Sequence, residues 1–425
     1  MSNNKLLSVG LVVNDAHAGA YDGSSPQKGN PGIGGTQYCF LALANELASS
    51  SNQMAVKLYH NNFEASMPPP LQVKCIKGGD HELHQAVLND KLDIVVIRGG
   101  ADILNSPLLL QTEVAVVVWV HNHLPRSVLN KLGNNTAVKR VVFCGEEQEQ
   151  LASDTTCFKK SSAIFNMHYM VPKSKSADQE SCSAVYIGSI IPSKGLHRLL
   201  RLWPKVKRAC PEAKLHVIGS GALYDKKASL GPLGIADSRY EKKLLSYLGN
   251  KPVEHGVIFH GLLGHEKFEV MEKCVVGIPN PTALTECCPG SVLECASLGL
   301  PVVGRRKFGM VDTVVNDKTG FLVDGDKEFV ERVVYLFSTS LEASIMGAEG
   351  VKFVSDTFSP EIITKKWLSL FKSIDRPLDS GRPIYIKGRY SYKKFVTINR
   401  NGVYPFWGLI RDFCVKVENA YSKLF

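Results

Sequence analysis

The chain has 425 residues, 44% hydrophobic and 21% charged, with a formal net charge of +10. That length exceeds one ordinary core and suits two domains of roughly 150–200 residues. The composition excludes a disordered chain, and no apolar run approaches the ~20 residues that span a bilayer. The charge is uneven. Residues 381–425 hold nine Lys/Arg and two acids, a surplus of +7, which leaves +3 for the first 380 residues. The 11 cysteines are scattered, odd in number and without a CxxC pair. This pattern points to reduced thiols in a cytoplasmic protein and away from a disulfide framework or a zinc site.

In chain order, the first apolar run, "LLSVGLVV" (6–13), reads as a buried strand and not as the apolar core of a leader, because no small-residue cleavage site follows. The segment from Asn14 to Ile33 is glycine-rich and polar. At that length it is either a mobile, ligand-binding lid above the cleft or plainly disordered. A helix is expected over Thr36–Ala48, with Phe40, Leu41, Leu43, Ala44 and Leu47 on one face. "DIVVI" (93–97), "VAVVVWV" (114–120) and "RVVF" (140–143) read as strands of a parallel sheet covered on both faces. The polar stretch around "KSKSADQESCS" reads as a linker over 173–183.

A second series begins with "AVYIG" (184–188) and continues through "LHVIG" (215–219), "VIFHG" (257–261), "VVGIP" (275–279) and "PVVG" (301–304). Ser359 and Pro360 then open a last helix with an Ile363, Trp367, Leu370, Phe371 and Ile374 stripe. The expected organisation is α/β. A Rossmann-like domain occupies 1–172 and a second 184–357, with a central cleft between them. A helix follows over 358–375 and a basic, aromatic extension over 376–425. In such sheets ligands bind beyond the carboxyl ends of the strands.

Between two of these runs stands "ALTECCPGSVLECASLGLPVV" (283–303), with Glu286 and Glu294 on either side of a Pro-Gly break. Pro289 fits the first position of a helix and Gly299 its C-cap. Glu286 therefore falls in a loop and Glu294 on the helix. The helix N-terminus between them favours an anion, so two hydroxyl-accepting carboxylates there suit a phosphorylated sugar or a nucleotide.

This pattern, continued by "CASLGLPVVG" and "FGMVDTVVNDKTGFLV", resembles the signature of the family 4 glycosyltransferases, which have the GT-B fold. The resemblance covers most of 184–375. It implies that Glu286 contacts the transferred sugar beside the reacting carbon and that Glu294 accepts from the ribose. "SKGLHRLL" looks like the family's K-G motif, so Lys194 would bind the donor pyrophosphate, a charge-assisted contact of roughly 1.5–3 kcal/mol. Gly309, Met310 and Val311 would offer backbone N–H groups to the same phosphates. In the first domain, "VWVHN" implies a sugar contact for His121. "PGIGGTQYCFLALANELA" implies close backbone approach of donor and acceptor at Gly34 and Gly35. Taken alone, Lys194 would be a surface lysine and His121 a structural residue.

Three departures stand out. The place of a phosphate-binding arginine is Ser189, the acid after the phosphate loop is Asp312, and only Asn166 remains of the turn that ends the first domain. Arg305 or Arg306 is the expected substitute for the missing arginine, against the plain alternative of a solvated basic loop.

The expected activity is transfer of a hexosyl unit, with retention, from a nucleotide-diphosphate sugar to a glycan or lipid-linked acceptor in cell-surface polysaccharide assembly. No cofactor and no metal are expected. The alternatives are a sugar-nucleotide epimerase of the same fold and a non-catalytic carbohydrate- or membrane-binding protein. A dinucleotide-dependent oxidoreductase is disfavoured, because Gly32-Ile33-Gly34-Gly35 does not directly follow the first strand. The tail interleaves its bases with ten aromatics. It suits an anionic membrane surface or docking on the first domain, and no motif supports nucleic acid. The expected location is the cytoplasm, at the inner membrane face.

Overall fold

The computed structural model describes residues 6–50, 54–100, 102–110, 113–171, 179–223, 229–376 and 378. They group into two units. One holds the described residues up to Met167 and those from Pro360 onward, and the other is His168–Ser359.

The first unit contains β1 (Leu7–Val12), β2 (Tyr21–Asp22), β3 (Met54–His60), β4 (Ala65–Ser66), β5 (Gln72–Cys75), β6 (Ile94–Arg98), β7 (Ala115–Val120), β8 (Val138–Phe143) and β9 (Ser161–Ala163). Seven of these form one parallel sheet in the order β5-β3-β1-β6-β7-β8-β9. The inner strands are continuous β-branched runs because both faces are covered; Val95, Val96, Val116, Val117 and Val118 are fully buried. The chain builds leftward from β1 and then crosses to β6, so the order reverses between β1 and β6. Around the sheet lie α1 (Gly35–Ser50), α2 (Asp80–Leu88), α3 (Arg126–Asn134) and α4 (Glu146–Leu151).

Residues 14–33 are folded, which removes the disordered alternative. The cause is Asp15, 1% exposed. Its carboxylate accepts from the Asn61 amide (3.0 Å) and the Tyr21 hydroxyl (2.7 Å), and lies 3.3 Å from His60 Nδ1. Further along, β2 pairs with β4, and Tyr38 donates to the Pro26 carbonyl.

The second unit contains β10 (Ser183–Ile187), β11 (Lys214–Ile218), β12 (Val257–Gly261), β13 (Val276–Gly277), β14 (Val302–Arg305) and β15 (Gly320–Val323). Their order is β12-β11-β10-β13-β14-β15, all parallel, with the reversal between β10 and β13. The helices are α5 (Leu196–Ala209), α6 (Ser238–Ser246), α7 (Lys267–Glu272), α8 (Gly290–Ser297), α9 (Met310–Thr313), α10 (Asp326–Ser338) and α11 (Ser340–Phe358). Pro289 is the N-cap of α8 and not its first turn, and Gly299 closes it at φ 75°. Of the expected linker, residues 172–178 fall outside the described set. Residues 179–183 are tied to this unit: Gln179 donates to the Cys274 carbonyl, and the Glu180 amide to that of Lys273.

The last helix, α12 (Pro360–Lys372), groups with the first unit. Its stripe is explained there: Trp367 is fully buried, with its ring 5.0 Å from Trp119 and 5.6 Å from Phe371. Residues 379–425, including the basic and aromatic tail, lie outside the described residues.

One pair of thiols carries a prediction. Cys182 precedes β10 and Cys210 caps α5, and their sulfurs lie 2.6 Å apart. Burial pushes the Cys182 thiol up to about 11, so it stays protonated at neutral pH, and closing the bond takes an oxidant that accepts the two thiol hydrogens. Diamide should convert the pair to a disulfide and itself to the hydrazine. Intact-mass measurement should show the loss of two hydrogens in the wild type and none at this site in Cys210→Ser.

Candidate functional site

Both sheets reverse their strand order, and in open α/β sheets the crevice at such a reversal is where ligands bind. In the second unit that crevice is bounded by the segments after β10 and after β13. The first brings Lys194, the second Glu286. Lys194 Nζ lies 2.7 Å from Glu286 Oε1, although the two are 92 residues apart.

Local structure sets that contact. Gly195 takes φ 74°, and a Cβ there would run into the Thr282 side chain. A glycine is therefore required both by the left-handed turn and by the close packing. Thr282 Oγ1 donates to Asn280 Oδ1 at 2.7 Å, and Asn280 Nδ2 donates to Glu286 Oε1 at 2.7 Å. Glu286 is 7% exposed, and a lysine and an amide serve its carboxylate, as a buried charge requires. Asn280 was missed in the sequence, where an amide near a strand end carries no signal of its own.

The backbone here is strained. Asn280, Ala283 and Thr285 all have φ between 42° and 62°, and Phe308 has φ 49°. For a β-branched threonine this is a true outlier. Each such residue costs of order 1–3 kcal/mol and persists only where the surroundings impose it, as they do at ligand sites.

The glycine loop is laid against the same segment. A Cβ on Gly309 would collide with the backbone of Cys287, and the Gly309 amide donates to the Glu286 carbonyl at 3.1 Å. This corrects the expectation for the loop amides. Gly309 N–H and Val311 N–H are already donated, the latter to Phe308. Among the described residues only the Met310 amide of the three has no acceptor.

Glu294 sits on α8, 9% exposed, and Lys267 Nζ reaches its Oε1 at 2.5 Å. Lys267 is itself 5% exposed. It also escaped the sequence reading, since a lysine opening a short helix looks like a solvated one. The arginine substitutes are corrected. Arg305 is buried and paired with Asp326, its guanidinium 5.5 Å from the Phe329 ring centre. Arg306 donates to the Leu322 carbonyl and lies 3.6 Å from Asp324. Both hold the β14–β15 edge. Ser189 is 1% exposed, with its hydroxyl turned to the Ser220 carbonyl.

The other expected residues lie in the first unit. Gly34 and Gly35 stand at the start of α1, with open space at the Gly35 Cβ position. His121 follows β7 and packs on Trp119 (4.4 Å) and Phe40 (6.0 Å). Its Nε2 is buried with no partner among the described residues. Burial, aided by the charge of Arg98, pushes its pKa down to about 3, so it is a neutral imidazole at neutral pH. The sign of the stability effect follows. Between pH 6.5 and about 3 the unfolded chain takes up a proton here that the folded chain refuses. Stability therefore falls as pH falls, by up to about 1.4 kcal/mol per pH unit. Urea midpoints at pH 7 and pH 5 should drop less in His121→Asn than in the wild type.

Among the described residues no three His, Cys, Asp or Glu side chains are grouped to hold a metal ion, and no helix is long and apolar enough to cross a membrane.

The profile of the family described as glycosyl transferases group 1 matches residues 181–339. Residues 181–339 form a glycosyl transferases group 1 domain. All the second-unit residues above lie within it. The chain is 22% identical to an uncharacterized glycosyltransferase of Haemophilus influenzae, a match covering 67% of this chain and 78% of that protein. It is 26% identical to the capsular polysaccharide biosynthesis glycosyltransferase CapM of Staphylococcus aureus, over 44% of this chain and 45% of CapM. Among solved structures it is similar to Anabaena Alr3699/HepE in complex with UDP and glucose, with TM-score 0.64 and 14% identity, over 86% of this chain and all of HepE. The fold is GT-B, and the chain that carries the group 1 domain is a glycosyltransferase.

Proposed function

We propose that this glycosyltransferase is a retaining, family 4 enzyme that moves a hexosyl unit from a nucleotide-diphosphate sugar to a hydroxyl of a glycan or lipid-linked acceptor, in cell-surface polysaccharide assembly. The observation that carries the reading is the Lys194–Glu286 contact at the reversal between β10 and β13, braced by Asn280 and held on strained backbone. The names of the relatives support the class of product, since CapM is named for capsular polysaccharide biosynthesis. The HepE complex with UDP and glucose supports the class of donor.

In this reading the diphosphate replaces Glu286 as the partner of Lys194. Glu286 is then left to Asn280 and to the hydroxyls of the sugar. As the glycosidic bond breaks, negative charge grows on the diphosphate, where Lys194 and the Met310 amide meet it. Stabilisation at the atom where charge develops is the larger share of catalysis in such reactions. Glu294, held by Lys267, accepts from the ribose. His121, being neutral, offers Nε2 to a sugar hydroxyl, and Gly34 and Gly35 let the backbone approach. Neither a metal ion nor a cofactor takes part. The protein works in the cytoplasm, with residues 381–425 on the inner membrane face.

The test is nucleotide release from a panel of UDP- and GDP-sugars, with and without EDTA. One donor should release nucleotide regardless of EDTA, and Glu286→Gln should reduce that release at least ~100-fold. Anomeric NMR of the product should show the donor configuration. No release and no nucleotide binding from any donor would sink the reading.

A further inference from the structure

The second unit holds its Lys194–Glu286 site at its strand reversal. The first unit has a reversal too, between β1 and β6, and it is not empty space. A cavity of about 220 Å³ opens there, floored by Val12 at the end of β1 and Arg98 at the end of β6. The start of α2 supplies Asp80, His81 and His84, and the turn after β6 supplies Asp102. None of these residues has yet been given a task.

Their charges are uncommitted. Among the described residues the side chains of Arg98, Asp80 and Asp102 make no hydrogen bond or ion pair. A guanidinium with five N–H donors thus lines the same cavity as two carboxylates that only accept, at the crevice where this fold class binds ligands. The arrangement suits a compound that both donates and accepts at neighbouring atoms, which is what vicinal hydroxyls do. The local balance, one positive against two negative charges, opposes a phosphate or carboxylate. Burial holds the His84 pKa below its usual value despite Asp80 and Asp102, so that histidine adds no positive charge at neutral pH. The volume is below the ~300 Å³ at which drug-sized sites begin, and so favours a single ring. Arg98 also connects the cavity to His121, which follows the neighbouring strand β7 and whose titration feels its charge.

We propose that this cavity is an acceptor subsite that takes a neutral, unphosphorylated sugar residue, with Arg98 and Asp102 on opposite sides of a vicinal diol. The proposal rests on the transferase reading and narrows it: the acceptor ends in a neutral sugar.

Saturation-transfer NMR on the full chain, with UDP at saturation, tests this. The probes are D-glucose, D-galactose and N-acetyl-D-glucosamine, against glucose 1-phosphate and glucuronate. At least one neutral sugar should give a signal stronger than either anion. Asp102→Asn, an isosteric change at an exposed position, and Arg98→Gln should each reduce it at least five-fold. The urea midpoint of Asp102→Asn should match that of the wild type, so that a weaker sugar signal is not lost folding. A stronger signal from the anions, no signal from any neutral sugar, or an unchanged signal in both variants would overturn the subsite. If the sugars bind as expected while the wild type releases nucleotide from no donor, the subsite stands and the transferase reading falls.

Discussion

Lys194→Ala should reduce nucleotide release from the donor by about 10²–10³, the usual effect of removing one group that stabilises developing charge. Two things are lost at once. The diphosphate loses a charge-assisted contact of roughly 1.5–3 kcal/mol, which is about 10- to 150-fold in UDP affinity by calorimetry. Glu286, 7% exposed, also loses its cation and keeps only the Asn280 amide, 2.7 Å away. Comparing kcat with the UDP dissociation constant separates the two. A variant with weaker UDP binding and unchanged kcat would show that Lys194 serves ground state and transition state equally, against the mechanism above.

Lys267→Met should destabilise the second unit by about 3–5 kcal/mol, because it leaves the Glu294 carboxylate buried without its cation. The pair is 5% and 9% exposed, with 2.5 Å between Nζ and Oε1. Adding Glu294→Gln should restore most of that stability, since two neutral side chains of similar volume replace a buried ion pair at little net cost. Urea titration of the two variants measures this. The double variant should nevertheless bind UDP more weakly than the wild type, because the ribose has lost its acceptor. Equal UDP affinity in the double variant would remove Glu294 from the site.

The parallel strands were legible because they are buried on both faces: "VAVVVWV" is short, continuous and β-branched, as such strands are, and Ala115–Val120 is the result. That Glu286 falls in a loop and Glu294 on a helix was legible through their flanks, Pro289 and Gly299. What the sequence hid were partners defined only by folding. Asn280 and Lys267 are ordinary residues until the chain brings them to Glu286 and Glu294. The same cause misdirected Arg305 and Arg306. Their place before the glycine loop suggested phosphate, but Asp324 and Asp326, in the segment following β15, claim them. The amide of Gly309 was likewise assigned to a ligand when the chain itself accepts it.

That last contact has a consequence for design. With the Gly309 backbone lying directly on Cys287 and no room for a Cβ between them, the acidic segment and the glycine loop cannot be exchanged separately between related enzymes. A graft intended to change which donor is accepted has to carry residues 280–288 and 308–312 together, as one interchangeable part.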